Sequence, residues 1–289
     1  MKTEATACTA PNQFVETKGR RIAYRSMGAG RPIVLCARFR GNMDIWDPAF
    51  LDALAANGFR VITFDYSGVG LSTGTRTMNP MELAADPRDL IEALALEGAV
   101  ISGWSLGGMV AQATLALYPH GITHVVLIGC PPPGPCFQPA EQLFYDTAII
   151  PNYSFENEVT LFFEPASASS RAAARRSVDR IAARGGARST PVPVDWAAAN
   201  LAAAPRDPPF HIDMVLEALR TTTIPVLHVG GDHDIIFPIE NWYGLNRQLP
   251  TVQLITFGGS GHGPHHQHPT AVAAQIGVFV GTMGAREGS

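Results

Sequence analysis

The stretch Val100-Ile101-Ser102-Gly103-Trp104-Ser105-Leu106-Gly107-Gly108 sets a serine between two glycines, Gly103-x-Ser105-x-Gly107. An apolar, strand-like run ends at Gly103, and a helical pattern begins at once in Met109-Val110-Ala111-Gln112-Ala113. Strand, sharp turn and helix in that order form the context in which Gly-x-Ser-x-Gly carries chemistry: the turn lifts the serine hydroxyl clear and aims a helix N-terminus at it. The flanking residues must be nearly bare for strand and helix to approach so closely. The plainer alternative is a glycine-rich turn with a capping serine. A serine hydroxyl is a weak nucleophile at neutral pH, so the catalytic reading requires a base and an acid that orients the base.

Both partners have candidates downstream. The run Ile224–Gly230 is followed by Gly231-Asp232-His233-Asp234, and Asp234 is the expected acid, with Asp232 as its competitor. Either aspartate could instead serve the turn. The run Val252–Phe257 is followed by Gly258-Gly259-Ser260-Gly261-His262-Gly263-Pro264. A histidine in so glycine-rich a loop is poorly explained by core packing, so His262 is the expected general base. His265, His266 and His268 follow closely, but lack the carboxylate or cysteine set a metal site needs. They are read as loop residues leading into a helix, and no metal is expected.

Positioning these groups requires strand ends, and the chain supplies them. Short apolar runs alternate with helical stretches, the pattern of βαβ units in a mostly parallel sheet. An opening hairpin is expected from Phe14–Thr17 and Arg21–Ser26. Strands are expected at Pro32–Ala37, Arg60–Asp65, Ala99–Gly103, Thr123–Gly129, Ile224–Gly230 and Val252–Phe257. Helices are expected at Trp46–Asn57, Glu82–Glu97 (with Pro87 kinking or restarting it), Leu106–Tyr118, near Glu240–Gln248, and at Thr270–Met283. The alternation breaks at Pro131-Pro132-Pro133-Gly134-Pro135 and resumes near Thr222. The predicted organisation is a core of residues 1–130 and 223–289 with a helical cap, or lid, at 131–222, inserted after the sixth strand.

The bulk composition narrows the classes. The chain has 289 residues, 46% hydrophobic and 16% charged, with a net charge of −4. That suits one large α/β domain, and no basic cluster points to nucleic acid. No apolar run is long enough to span a bilayer. The N-terminus lacks the apolar core of a signal peptide. Cys8, Cys36, Cys130 and Cys136 form no CxxC pair and read as free thiols, favouring a reducing, cytoplasmic setting. Neither a phosphate-cradling loop nor a dinucleotide glycine signature is present, so no cofactor is expected. The expected partner is a small-molecule substrate. Oligomeric state is left open, a homodimer being one option.

Four pieces in order carry a resemblance: Asp65-Tyr66-Ser67-Gly68-Val69-Gly70-Leu71-Ser72 after a strand, Gly103-Trp104-Ser105-Leu106-Gly107-Gly108, Gly231-x-x-Asp234-x-x-x-Pro238, and Gly261-His262. Together they resemble the α/β-hydrolase fold enzymes of the single-chain esterase, lactonase and C–C hydrolase kind. The resemblance spans nearly the whole chain and speaks for the fold more than for the substrate. It implies Ser105 as nucleophile, His262 as base and Asp234 as acid. It also implies an oxyanion hole from the N–H groups of Phe39 and Leu106. Here the chain departs from the family, which carries His-Gly where this sequence has Ala37-Arg38. Arg38 could bind an anionic substrate group or the oxyanion itself, or Arg38 and Arg40 could point to solvent. Trp104 and Met109 border either the pocket or the core. The expected function is a serine hydrolase cleaving an ester or lactone of a small, largely apolar substrate. The alternatives are a C–C bond hydrolase or perhydrolase of the same fold and a non-catalytic small-molecule receptor. A halide enzyme would carry Asp at the nucleophile position, so Ser105 counts against that chemistry.

Overall fold

Eight strands and twelve helices follow one another among residues 6–206 and 208–283, which this computed structural model describes. The strands are β1 (Gln13–Thr17), β2 (Arg20–Met27), β3 (Arg31–Cys36), β4 (Phe59–Phe64), β5 (Ala99–Trp104), β6 (Ile122–Ile128), β7 (Val226–Gly231) and β8 (Val252–Phe257). They form one sheet in the order β1-β2-β4-β3-β5-β6-β7-β8. β1 and β2 make the expected hairpin, with Thr17 opposite Arg20. Its two turn residues, Lys18 and Gly19, both have positive φ (45° and 78°), as a tight two-residue turn demands. β2 runs antiparallel to β4, and every pairing from β4 to β8 is parallel.

The central strands are mostly apolar because helices cover both sides of the sheet. Side chains alternate between two cores. Ile33, Leu35 and Val100 face one core, with Phe50 and Leu54 of α1 (Pro48–Ala56) and Ile276 and Phe279 of α12 (Pro269–Thr282). Val34, Cys36 and Ile101 face the other, with Leu90 of α3 (Ala85–Ala93) and Val110 and Leu115 of α4 (Leu106–Leu117). The period-2 alternation of a strand thus assigns each neighbour to an opposite layer.

The expected helix over Glu82–Glu97 is in fact two: α2 (Pro80–Leu83) and α3, divided at Ala84. Pro87 sits in the first turn of α3, where its missing N–H forfeits no helical bond. The helix expected near Glu240–Gln248 shortens to α10 (Glu240–Tyr243). Beyond it the chain continues in single turns, with Leu245, Asn246 and Gln248 N–H each bonded three residues back. Between β6 and β7 lie α5 (Gln142–Ala148), α6 (Phe155–Phe162), α7 (Ala168–Ala182), α8 (Val194–Ala203) and α9 (Asp213–Thr221), with no strand among the described residues. α9 packs on α4 and buries Val215 and Leu219. A short helix not foreseen as such, α11 (Pro264–Gln267), follows the His262 loop. No helix among the described residues is long and apolar enough to cross a membrane. The reading of the N-terminus rests in part on residues 1–5, which lie outside those described.

Candidate active site

β5 delivers Ser105 into a backbone conformation that side chains rarely adopt, φ 59° and ψ −120°. The turn is held by Ser105 N–H donating to the Ile128 carbonyl at 2.9 Å and by Gly108 N–H donating to the Ser105 carbonyl at 2.8 Å. The glycines are required by contact. A Cβ on Gly103 would lie 1.9 Å from the Gly107 carbonyl oxygen, and one on Gly107 would lie 1.9 Å from the Cys36 carbonyl oxygen. A residue forced to positive φ stores about 1–3 kcal/mol of strain, held here by that packing.

β7 delivers Asp234 and β8 delivers His262. Asp234 Oδ2 accepts from His262 Nδ1 at 2.8 Å, and both side chains are buried. Asp234 Oδ1 accepts from the N–H groups of Ile236 and Phe237 at 2.8 and 3.0 Å. Burial opposes ionisation of Asp234, but the His262 charge and hydrogen bond and these two N–H donors outweigh it, so its carboxyl lies below the usual carboxylate range. A carboxylate only accepts, so Nδ1 of His262 is the donor, and in the neutral imidazole Nε2 is the acceptor. Nε2 is buried and has no hydrogen-bond partner among the described residues. Asp232, the rival acid, is exposed and accepts from Ser260 N–H at 3.2 Å, a contact that joins the loop after β7 to the His262 loop.

Ser105 and His262 line one cavity of roughly 450 Å³, and so do Phe39 and Leu106. Leu106 opens α4, so its N–H has no acceptor within the helix. The apolar wall includes Met109, Phe144, Leu201, Phe210 and Phe237. No hydrogen bond joins Ser105 to His262; such contacts are often loose before substrate is bound.

Neither Arg38 nor Arg40 points to solvent. Arg38 lines the cavity, and Nη1 donates to the Phe39 carbonyl at 2.8 Å. Its guanidinium lies 4.4 Å from the centroid of the Phe162 ring and 5.2 Å from that of Trp104. Arg40, at φ 56°, donates to the carbonyls of Ala148, Ile150 and Pro151 at 2.9, 2.7 and 2.7 Å. It thereby ties the Phe39 loop to the end of α5.

Of the two readings open for Trp104, a substrate-binding place at the pocket or a place in the core, the structure favours the core: it is 1% exposed and does not line the cavity. Its Nε1 donates to the His262 carbonyl at 2.9 Å, so it fixes the loop that carries His262. Trp104 is the last residue of β5 and packs in the core against Trp46, Phe162 and His265. The histidines after His262 are also structural. His265 is buried among Trp46, Phe50, Trp104 and His266, and His266 Nε2 accepts from Asp47 N–H at 3.3 Å. Among the described residues no three His, Cys, Asp or Glu side chains are placed to hold a metal ion.

Gly129 escaped the sequence reading. A Cβ there would lie 2.7 Å from the His262 carbonyl oxygen and 3.1 Å from His262 Nδ1. A lone glycine at the end of β6 gave no signal, because its purpose depends on a loop more than 130 residues away.

The family model for the alpha/beta hydrolase fold matches residues 31–269, most of the chain. The chain belongs to the α/β-hydrolase fold family. It is 26% identical over 264 residues to the pimeloyl-[acyl-carrier protein] methyl ester esterase of Vibrio campbellii, covering 89% of this chain and 98% of that protein. A protein of Mycobacterium tuberculosis, provisionally named a non-heme bromoperoxidase, is 33% identical over 107 residues. That match spans 37% of this chain and only 41% of the relative. Among solved structures, an alpha/beta hydrolase fold protein from Chitinophaga pinensis superposes with a TM-score of 0.80 at 26% identity, covering 96% of this chain and all of that one.

Proposed function

We propose that this α/β-hydrolase is a serine hydrolase cleaving an ester or lactone of a small, largely apolar molecule. One observation carries the reading: a strained Ser105 and a His262 paired with buried Asp234, the three from three strand ends, with Ser105 and His262 bordering one apolar cavity. Similarity to a named methyl ester esterase along nearly the full length of both chains supports it.

Ser105 Oγ attacks the carbonyl carbon while His262 Nε2 takes its proton. Asp234 holds the imidazole and stabilises its charged form. The N–H groups of Phe39 and Leu106 receive the oxyanion. The alkoxide leaves with the proton from His262, and an acyl-Ser105 remains. Water, deprotonated by His262, attacks that acyl group; Ser105 recovers its proton and the acid departs. Residues 131–222 act as the cap: α5, α8 and the segment up to Ile212 contribute Phe144, Tyr145, Leu201, Phe210 and Ile212 to the wall.

The test is a panel of short- and medium-chain 4-nitrophenyl esters and simple lactones, assayed with the wild type and Ser105→Ala. Turnover that Ser105→Ala lowers by at least about 10³-fold supports the reading. Turnover that survives the substitution, or none across the panel from folded protein, contradicts it.

A further inference from the structure

Arg38 is the one Lys, Arg, Asp or Glu among the described residues that line the cavity. No carboxylate pairs with it among those residues. The opposite charge it feels most is Glu158 of α6, itself half-buried and pushed toward its neutral form by desolvation. Its Nε is buried without a partner, and Nη1 is occupied by the Phe39 carbonyl. Nη2 donates to no protein group among the described residues, and the residue lines the cavity. The rings of Phe162 and Trp104 hold the guanidinium where it is. A cation kept at an apolar wall without a counter-ion is costly unless an anion arrives to pair with it. A guanidinium is suited to a carboxylate, which it meets through parallel N–H donors.

We propose that Arg38 binds a carboxylate of the substrate. Resting on the hydrolase reading above, this makes the substrate an amphiphilic monoester or lactone acid: an apolar body that fills the cavity, one scissile ester and one free carboxylate. The anion sits beside the loop that carries Phe39, so its site and the oxyanion site share one segment of chain. The position after β3 then selects the substrate as well as serving the oxyanion.

The test is a pair of esters, 4-nitrophenyl butyrate and 4-nitrophenyl hemiglutarate, the second being the first with a carboxylate added on its terminal carbon. The readout is the ratio of their kcat/KM values, because a disturbed Phe39 loop would slow both esters together. The wild type should favour hemiglutarate, and Arg38→Met should lower the ratio about 10- to 100-fold. Arg38→Lys, which keeps the charge, should restore part of it. A ratio unchanged in Arg38→Met overturns the proposal, even if both rates fall.

Binding provides an arm independent of turnover. Calorimetry on Ser105→Ala should show monomethyl glutarate bound more tightly than methyl butyrate, with the preference lost in Ser105→Ala/Arg38→Met. If the wild type cleaves neither ester yet this preference is found, Arg38 is an anion site and the hydrolase reading fails. If esters are cleaved with no preference that depends on Arg38, the reverse holds. Thermal melting of each variant establishes that it is folded.

Discussion

His262 is held from three directions: by Asp234 through Nδ1, by Trp104 through its own carbonyl, and by the space Gly129 leaves beside it. Each support makes a separate prediction. Asp234→Asn keeps the size of the side chain but can impose the wrong imidazole tautomer, so kcat should fall on the order of 10⁴-fold with little change in KM. Gly129→Ala drives a methyl group toward the His262 carbonyl at a residue with φ +48°, and kcat should fall at least about tenfold in steady-state assays of the folded variant. Full activity in Gly129→Ala would mean that the loop has slack the packing does not show. At this scale the sequence spoke unevenly. Ser105, Asp234 and His262 stood out because each follows an apolar run and sits among glycines. The duties of Trp104, Gly129 and Arg40 depend on partners far along the chain, and no local pattern encodes those.

Elements bring the site together through ties between the region after β6 and the rest of the chain, two of which lie close to the site. Arg40 binds three carbonyls at the end of α5, and its cation also lies 4.3 Å from the Tyr153 ring. Arg180 of α7 makes a two-pronged bond to Asp47, 2.8 and 2.6 Å, while Asp47 caps α1 by accepting from Ala49 N–H. Asp47 N–H in turn donates to His266, four residues past the candidate base. Arg40→Ala should cost about 1.5–3 kcal/mol in chemical denaturation, the range for hydrogen bonds to a charged group. It should also lower kcat more than it changes KM, since the Phe39 loop loses its anchor; stability lost with kcat intact would detach that loop from catalysis. The strands and α4 were legible from apolar periodicity, and so was the helical stretch between β6 and β7, from the loss of it. The break at Ala84 and the short α10 were not, because proline tolerance and single-turn bonding are set by fine backbone geometry.

The whole molecule carries a dependence on pH that its active site does not explain. His266 is buried, and burial, with Arg38 and Arg180 nearby, outweighs Asp47 and lowers its pKa to about 4. Burial likewise lowers His228 to about 3, against the pull of Asp234. Both are neutral when folded and gain protons near pH 6.5 when unfolded. Between pH 6.5 and the folded values the unfolded state binds more protons, so stability is full above pH 6.5 and falls as pH falls. The slope is about 1.4 kcal/mol per pH unit for each histidine. Urea unfolding at pH 7.5, 6 and 5 should show the decline, and His266→Gln should make it shallower; an unchanged slope in that variant would refute its part. The same scale bears the central claim, that sheet, cap and elbow together activate one serine. The most direct measurement is fluorophosphonate labelling read by peptide mass spectrometry on the wild type and on folded Ser105→Ala and His262→Ala. A single adduct on Ser105, absent from Ser105→Ala and formed at least about 10³-fold more slowly in His262→Ala, is the predicted result. An unlabelled wild type, or an adduct elsewhere in the chain, would contradict the account.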